Sequence, residues 1–378
     1  MRKFGLFMLS LVMFLIGVCA GFIGIHIYTL PESDVLVSGD LSFHFLELGN
    51  GKTGDCIYIK SGEVDILVDA GSRTNSADTI ETYVKDKMTD DVLDYVIVTH
   101  ADQDHIACFA GDGTNASLFT RFDVEVIIDF PLTNKSLVTD GGNQTMYAKY
   151  LASRDAEVAE GAKRFSALEC YNNVNGASRV YDIGNGATLN ILYNYFYENT
   201  TSDENDYSVC FQIEAGNDKF LFTGDLEEDG EEYLVQYNSL SKVKLFKAGH
   251  HGSPTSSNDC LLDIIKPEIC VACCCAGSVE YTDNLANTFP SQAFINRIAK
   301  WTTDVYVTTV GYIEEDGVKG NGDINYSDIG YGSLNGNVKI TYERGAISIS
   351  GSNNNTKLKD TDWFKENRIC PTEWQESA

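Results

Sequence analysis

The sequence predicts an α/β fold from two observations. Apolar, strand-like runs alternate with helical stretches along the chain, and three of these runs end in aspartate or histidine residues. Of the 378 residues 43% are hydrophobic and 22% are charged, which excludes wholesale disorder and fibrous architectures. Because no repeat or internal linker is visible, we expect one large domain over residues 41–350 and a loosely structured tail over residues 351–378.

The elements of this domain can be placed in order from their patterns. Residues 41–48 alternate apolar and polar side chains, and a glycine-rich turn separates them from a hairpin that ends at Asp69. A continuous apolar run at 93–99 is typical of a buried strand. The remaining predicted strands are 56–60, 65–68, 124–130, 188–195, 208–215 and 219–222, and the predicted helices are 79–88, 147–165 and 256–265.

The first 40 residues differ in kind from this domain. Arg2 and Lys3 precede an apolar run over residues 4–28, and no acidic residue occurs before Glu32. At a rise of about 1.5 Å per residue, a helix of this run can cross a bilayer of ~30 Å. A signal peptide cleaved after Ala20 is the alternative, although the length favours an anchor. Either interpretation predicts a linker at 29–40 and a large domain outside the cytoplasm, membrane-anchored or secreted.

Charge and cysteine content constrain the partners. With 28 basic and 55 acidic side chains the formal charge is −27, so a nucleic-acid partner is possible but disfavoured. Four of the eleven cysteines lie at positions 270 and 273–275 inside an apolar run. A zinc-binding Cys-x-x-Cys pair is conceivable there, but small side chains filling a buried strand are the favoured interpretation.

The segment His100-Ala-Asp-Gln-Asp-His105 carries the strongest chemical signal. Four ligand-type side chains follow an apolar strand directly, so they can face one point in space. Two imidazoles and two carboxylates suit zinc, manganese or iron better than calcium. Two later strands also end in ligand-type residues, one at Asp225 and the other at His250 and His251. The sequence therefore predicts a metal site at one edge of a sheet.

These motifs in this order resemble the metallo-β-lactamase superfamily, and more narrowly the branch that contains the hydrolase domain of the competence protein ComEC. The weaker signatures at 43–55, 66–71, 205–208 and 290–292 agree with that branch. The resemblance spans residues 41–350 and implies a four-layered αβ/βα sandwich. It also implies a zinc or manganese centre with His100, Asp102, Asp104, His105, Asp225 and His251 as ligands.

The resemblance has two gaps. A further histidine is expected between His105 and Asp225, but residues 106–249 contain none, and Phe289 stands where the branch often has a histidine. We therefore expect one tightly bound ion, held by Asp104, His105, Asp225 and one of the paired histidines. A second ion, near His100, would be weaker or absent.

Roles for individual residues follow from this chemistry. We expect Asp104, Asp225 and His250 to act in catalysis, with His251 rather than His250 as the ligand. Asp69 and Asp55 are expected to orient ligands from outside the metal shell, or to cap turns. Ser253 either donates to the substrate or caps the helix that follows it, and capping is the favoured role.

The leading functional hypothesis is a metal-dependent hydrolase of a phosphodiester or a related ester, on a small molecule or a polymer. A lactone, lactam or other small-ester hydrolase is the alternative within the same class. A surface protein that binds metal without turnover is the alternative from another class, and the missing histidine motivates it.

Overall fold

The core of the protein consists of two eight-stranded mixed sheets. The computed structural model describes residues 41–310 and 331–375; the predicted leader and linker at 1–40 lie outside this range. The strands are β1 Leu41–Phe45, β2 Ile57–Ser61, β3 Val64–Val68, β4 Val92–Val98, β5 Asp123–Asp129, β6 Lys163–Ser166, β7 Val180–Asp182, β8 Ala187–Ile191, β9 Phe211–Ala215, β10 Asp218–Phe222, β11 Leu245–Lys247, β12 Ile269–Ala276, β13 Val305–Val310, β14 Gly332–Ser333, β15 Val338–Glu343 and β16 Ala346–Gly351. The α-helices are α1 Ala77–Lys85, α2 Gln103–Ala110, α3 Met146–Glu160, α4 Ala167–Asn172, α5 Glu228–Tyr237, α6 Asp259–Ile265, α7 Gln292–Ile298 and α8 Asp362–Asn367.

The two sheets have the same internal plan. Their strand orders are β16-β15-β1-β2-β3-β4-β5-β6 and β14-β13-β12-β11-β10-β9-β8-β7. Strands β3 to β6 run parallel in the first sheet, and β10 to β13 run parallel in the second. Parallel strands place their carboxyl ends at one edge, so each sheet gathers the loops that follow these strands.

Strand β10 shows how the layers are packed. Phe220 and Phe222 belong to the core between the sheets, where the Phe220 ring lies 4.6 Å from that of Phe43 in the first sheet. Leu221, which points the other way, belongs to a second core that includes residues of α5, α6 and α7. Helices α1, α2 and α3 contribute to the core around the first sheet. The expected αβ/βα sandwich is confirmed.

Several predicted elements require correction. The strands expected over 188–195 and 208–215 are shorter and span Ala187–Ile191 and Phe211–Ala215. The helix expected over 147–165 ends at Glu160, because Gly161 adopts a φ of 137° that helix-forming side chains avoid, and strand β6 follows. The expectation of a loose tail after Gly351 is also wrong. Three apolar side chains beyond that point, Leu358, Phe364 and Trp374, are buried in the second core.

The cysteine-rich run forms β12, all eight residues of which are buried, so the buried-strand interpretation is confirmed. The ten cysteines of the described ranges are free thiols, and eight of them are buried. Among the described residues no helix is both long and apolar enough to cross a membrane.

Candidate metal centre

Backbone hydrogen bonds join the loop before β2 and the loop after β3 to the first turn of α2. The Ala70 N–H donates to the His105 carbonyl at 2.8 Å, and the Asp55 N–H donates to the Asp104 carbonyl at 3.0 Å. Gly71 permits this approach, because a Cβ at that position would lie only 1.5 Å from the Asp104 oxygen. These contacts fix the backbone positions of Asp55, Asp104 and His105 relative to one another.

His105, in the first turn of α2, is the hub of the site. Its Nδ1 lies 2.8 Å from Asp69 Oδ2, and its Nε2 lies 3.0 Å from Asp225 Oδ2. Burial disfavours the charged ring, but the carboxylates of Asp225 and Asp69 outweigh it and raise the pKa of His105 well above its usual value. Asp69 also accepts hydrogen bonds from the N–H and hydroxyl of Thr99, so its carboxylate is fixed from two directions.

His251 faces the same point from the second sheet. Its Nε2 lies 3.2 Å from Asp225 Oδ2 and 3.4 Å from Asp104 Oδ2, and its Nδ1 hydrogen-bonds with the Cys273 carbonyl at 2.9 Å. Burial opposes ionisation of Asp104 and Asp225, but the neighbouring imidazoles outweigh it and hold the pKa of both carboxyls well below the usual range.

His100 and Asp102 lie at the open side. The His100 Nε2 is 3.6 Å from Asp102 Oδ2, and Asp102 forms an ion pair with Lys135 on the loop after β5. A cavity of about 190 Å³ opens beside this pair and is also lined by Met146 and Tyr147. Asp102 is absent from the compact groups of candidate ligands among the described residues, and its role as a ligand stays a prediction.

The donors present suit a divalent ion. Four groups of three residues bring one ligand atom each within 4.8 Å of the others: His100, His105 and Asp225; Asp104, His105 and His251; Asp55, Asp225 and His251; and Asp55, Asp69 and His105. The Nε2 atoms of His100 and His251 are buried without a hydrogen-bond partner. A buried imidazole nitrogen left unpaired among carboxylates is costly, and an ion would satisfy it. The residues therefore fit a metal of the predicted class.

His250 is placed differently from His251. Both adopt positive φ, 44° and 56°, which turns the two adjacent rings in different directions. The side chain of His250 is 21% exposed, whereas that of His251 is fully buried. Its Nδ1 lies 3.0 Å from Glu227 Oε1, and its Nε2 lies 4.0 Å from Asp225 Oδ2. The Phe289 ring lies 5.6 Å from this imidazole at the mouth of the site.

The expectation for Ser253 is wrong. Helix α6 begins at Asp259 with Asn258 as its N-cap, so Ser253 lies too far upstream to cap it. Its hydroxyl instead accepts a hydrogen bond from the Thr255 N–H at 3.2 Å.

Two residues of the site escape sequence reasoning. Lys247 is buried, and its ammonium contacts both Asp55 and Asp225. Burial opposes the charge, but these two carboxylates outweigh it and raise the pKa of Lys247 above its usual value. The Tyr281 hydroxyl donates to Asp104 Oδ2 at 2.7 Å, from the loop after β12. The signal for Lys247 was a charged residue inside a short apolar strand, whereas Tyr281 gave none.

The fold and the candidate metal centre together resemble those of the metallo-β-lactamase superfamily. The sequence model of the metallo-beta-lactamase superfamily matches residues 49–111 and 201–275, which include every predicted ligand. The resemblance predicted from the motifs is therefore confirmed.

Competence proteins are among its curated relatives. Competence protein ComA of Neisseria gonorrhoeae is 35% identical over 104 residues, which are 27% of this chain and 14% of that protein. ComE operon protein 3 of Bacillus subtilis is 22% identical over 185 residues, 47% of this chain and 20% of that protein. The chain thus spans about a fifth or less of these relatives. Among solved structures, the metallo-beta-lactamase fold protein YhfI of Bacillus subtilis superposes with a TM-score of 0.40 at 12% identity, over 73% of this chain and 99% of that one.

Proposed function

We propose that this protein is a metal-dependent hydrolase that cleaves a phosphodiester or a related ester outside the cytoplasm. The convergence of ligand-type side chains from both sheets carries this proposal, because His100 Nε2 and His251 Nε2 are buried and unpaired beside carboxylate oxygens. Zinc or manganese matches this mixed set of imidazoles and carboxylates.

The position of each residue in the site indicates its role. When bound, a divalent ion supplies hydroxide near neutral pH and polarises the ester. Asp104, Asp225 and His251 would hold the ion, because their ligand atoms meet in the buried centre. Asp69 fixes the His105 ring by accepting at Nδ1, which leaves Nε2 for the ion.

His250 faces the substrate rather than the ion. Its ring is partly exposed, and Glu227 holds its Nδ1. Its Nε2 is therefore oriented toward the centre, where it can donate a proton to the departing alkoxide. This arrangement supports His250 as a catalytic residue and His251 as the ligand.

The substrate we propose is a small ester or an ester on a polymer of low charge. The formal charge of −27 repels a nucleic-acid backbone over long range, and Lys135 at the open side is already paired with Asp102. The leader predicted from residues 1–28 would place the protein at the membrane with its large domain outside. Protection of the full-length protein from external protease in intact cells would contradict that location.

Elemental analysis of the purified full-length protein, together with a screen of phosphodiester, lactone and β-lactam substrates, tests the function. We expect zinc or manganese in the protein and turnover of a phosphodiester that His251→Ala abolishes. Preferential turnover of a lactone would identify the protein as a metal-dependent lactone hydrolase instead of a phosphodiesterase. Metal without any turnover would favour a non-catalytic binding protein.

A further inference from the structure

Lys247 places a positive charge inside the candidate metal centre. It is the last residue of β11, its side chain is 1% exposed, and its ammonium group contacts three acceptors. These are the Gly224 carbonyl at 3.1 Å, Asp225 Oδ1 at 3.2 Å, and Asp55 Oδ2. An ammonium group has three N–H donors, so every donor is used.

Burying a lysine at this position costs free energy. Moving an ammonium group out of water costs several kcal/mol unless carboxylates and hydrogen bonds compensate for it. Compensation is available here, because the centre contains four buried carboxylates: Asp55, Asp69, Asp104 and Asp225. Without the lysine, the charges of Asp55 and Asp225 in a metal-free protein would be left to His251, whose Nδ1 lies 3.1 Å from Asp55 Oδ1 and whose Nε2 lies 3.2 Å from Asp225 Oδ2.

Because Lys247 contacts Asp225, the two carboxylate oxygens of Asp225 have different partners. Oδ1 contacts Lys247, whereas Oδ2 lies 3.0 Å from His105 Nε2 and 3.2 Å from His251 Nε2. The ammonium also contacts both carboxylates of one compact ligand group, that of Asp55, Asp225 and His251. An ion held by that group would have to approach a fixed positive charge.

We propose that Lys247 is a positioning residue that acts as a built-in cation of the centre. It keeps ions away from the Asp55 side and turns Asp225 Oδ2 toward the histidines. It also stabilises the site while no ion is bound. This inference rests on the metal binding assumed in the proposed function, but it does not require turnover.

The lysine and the ion then compete electrostatically, since like charges a few ångströms apart in a buried site repel strongly. Removing the lysine charge should tighten zinc binding at least tenfold. It should also lower the melting temperature of the metal-free protein more than that of the zinc-loaded protein, because only the ion can replace the lost charge. A lysine that merely filled the core would leave zinc affinity unchanged.

The experiment compares the full-length wild type with Lys247→Met and Lys247→Gln. Zinc affinity is measured by competition with a chelating dye, and melting is followed with EDTA and with zinc. Lys244→Met is the matched control, because it removes another lysine charge three residues earlier, where the ammonium pairs with Glu268 at 2.9 Å. We expect zinc affinity within twofold of wild type in this control, about the scatter for a remote surface change.

Each outcome has a defined meaning. A Lys247→Met variant that folds only with zinc supports the proposal. In that case the Lys247→Gln variant, which keeps a hydrogen-bond donor, should bind zinc more tightly than wild type does. Zinc affinity equal to or weaker than that of wild type in the folded variants overturns it, and so does failure of both variants to fold even with zinc. Wild-type protein that binds no zinc overturns the proposed function instead.

Discussion

Replacing Asp225 with asparagine removes a negative charge from the point where both sheets meet, while it keeps the shape of the side chain. The carboxylate is 1% exposed, its Oδ2 lies near His105 and His251, and its Oδ1 contacts Lys247. Breaking a buried charge pair on one side costs about 3–5 kcal/mol. We therefore expect Asp225→Asn to destabilise the metal-free protein by about 3 kcal/mol.

Asp225→Asn should also lower the affinity of the protein for zinc. Loss of a residue that only supports a ligand typically lowers affinity about 10- to 100-fold, so loss of a ligand charge should lower zinc affinity about 100-fold or more. Turnover should fall in parallel, since the reaction depends on the ion. Urea unfolding of the metal-free protein, zinc competition and phosphodiester turnover measure the three effects.

Asp229→Asn is the matched control for this prediction. Asp229 lies four residues further on, in the first turn of α5, and its side chain is exposed. The change should leave zinc affinity unaltered and stability within about 0.5 kcal/mol. Full metal content and activity in folded Asp225→Asn protein would refute the metallo-hydrolase interpretation of this segment.

Three further predictions concern the ions, the mouth of the site and the fold. Titration of metal-free protein with zinc should reveal one tight and one weak ion, because three of the four compact ligand groups share His105; two equally tight ions would contradict this. Tyr281→Phe removes the hydroxyl that donates to Asp104, so zinc affinity measured by competition should fall about tenfold, and unchanged affinity would exclude the contact as support. Burial raises the pKa of Glu231 to about 7, so the stability this carboxyl contributes is present below its unfolded pKa and lost as pH rises through about 7. Urea titrations of wild type and Glu231→Gln measure this effect. Between pH 5.5 and 8 the unfolding free energy of wild type should fall by about 2 kcal/mol more than that of the variant. The same pH dependence in both proteins would contradict the raised pKa of Glu231.

Local signals at strand ends account for what the sequence predicts correctly. A buried strand followed at once by several ligand-type side chains fixes both the element and the position of its functional end. For this reason the sequence predicts that His100, Asp225 and His251 lie near one another, and the structure places Asp225 in one compact ligand group with His100 and in another with His251. Both faces of the parallel strands are covered, so continuous apolar runs were a reliable indication of the layered fold.

Contacts between distant segments account for what the sequence does not reveal. The tail after Gly351 reads as polar and loose, yet Trp374 is buried because its partners lie in the second sheet and its helices. Lys247 stands out in the sequence only as a charged residue inside a short apolar strand, and the contact that accounts for its burial comes from Asp55, far away in sequence. Tyr281 reaches Asp104 across 177 residues of chain, a distance over which no sequence pattern operates.

The ten free thiols of the described ranges bear on how the chain must mature. Burial raises the pKa of the Cys273 thiol well above its usual value, so in the folded protein it is neither ionised nor accessible. An unfolded chain exposes all of these thiols at once, and an external oxidant such as dissolved oxygen can then convert them into disulfides in arbitrary pairs. In an oxidising environment, therefore, folding has to outpace oxidation, and refolding from denaturant requires a reductant; in the folded protein eight of the ten thiols are buried away from the oxidant.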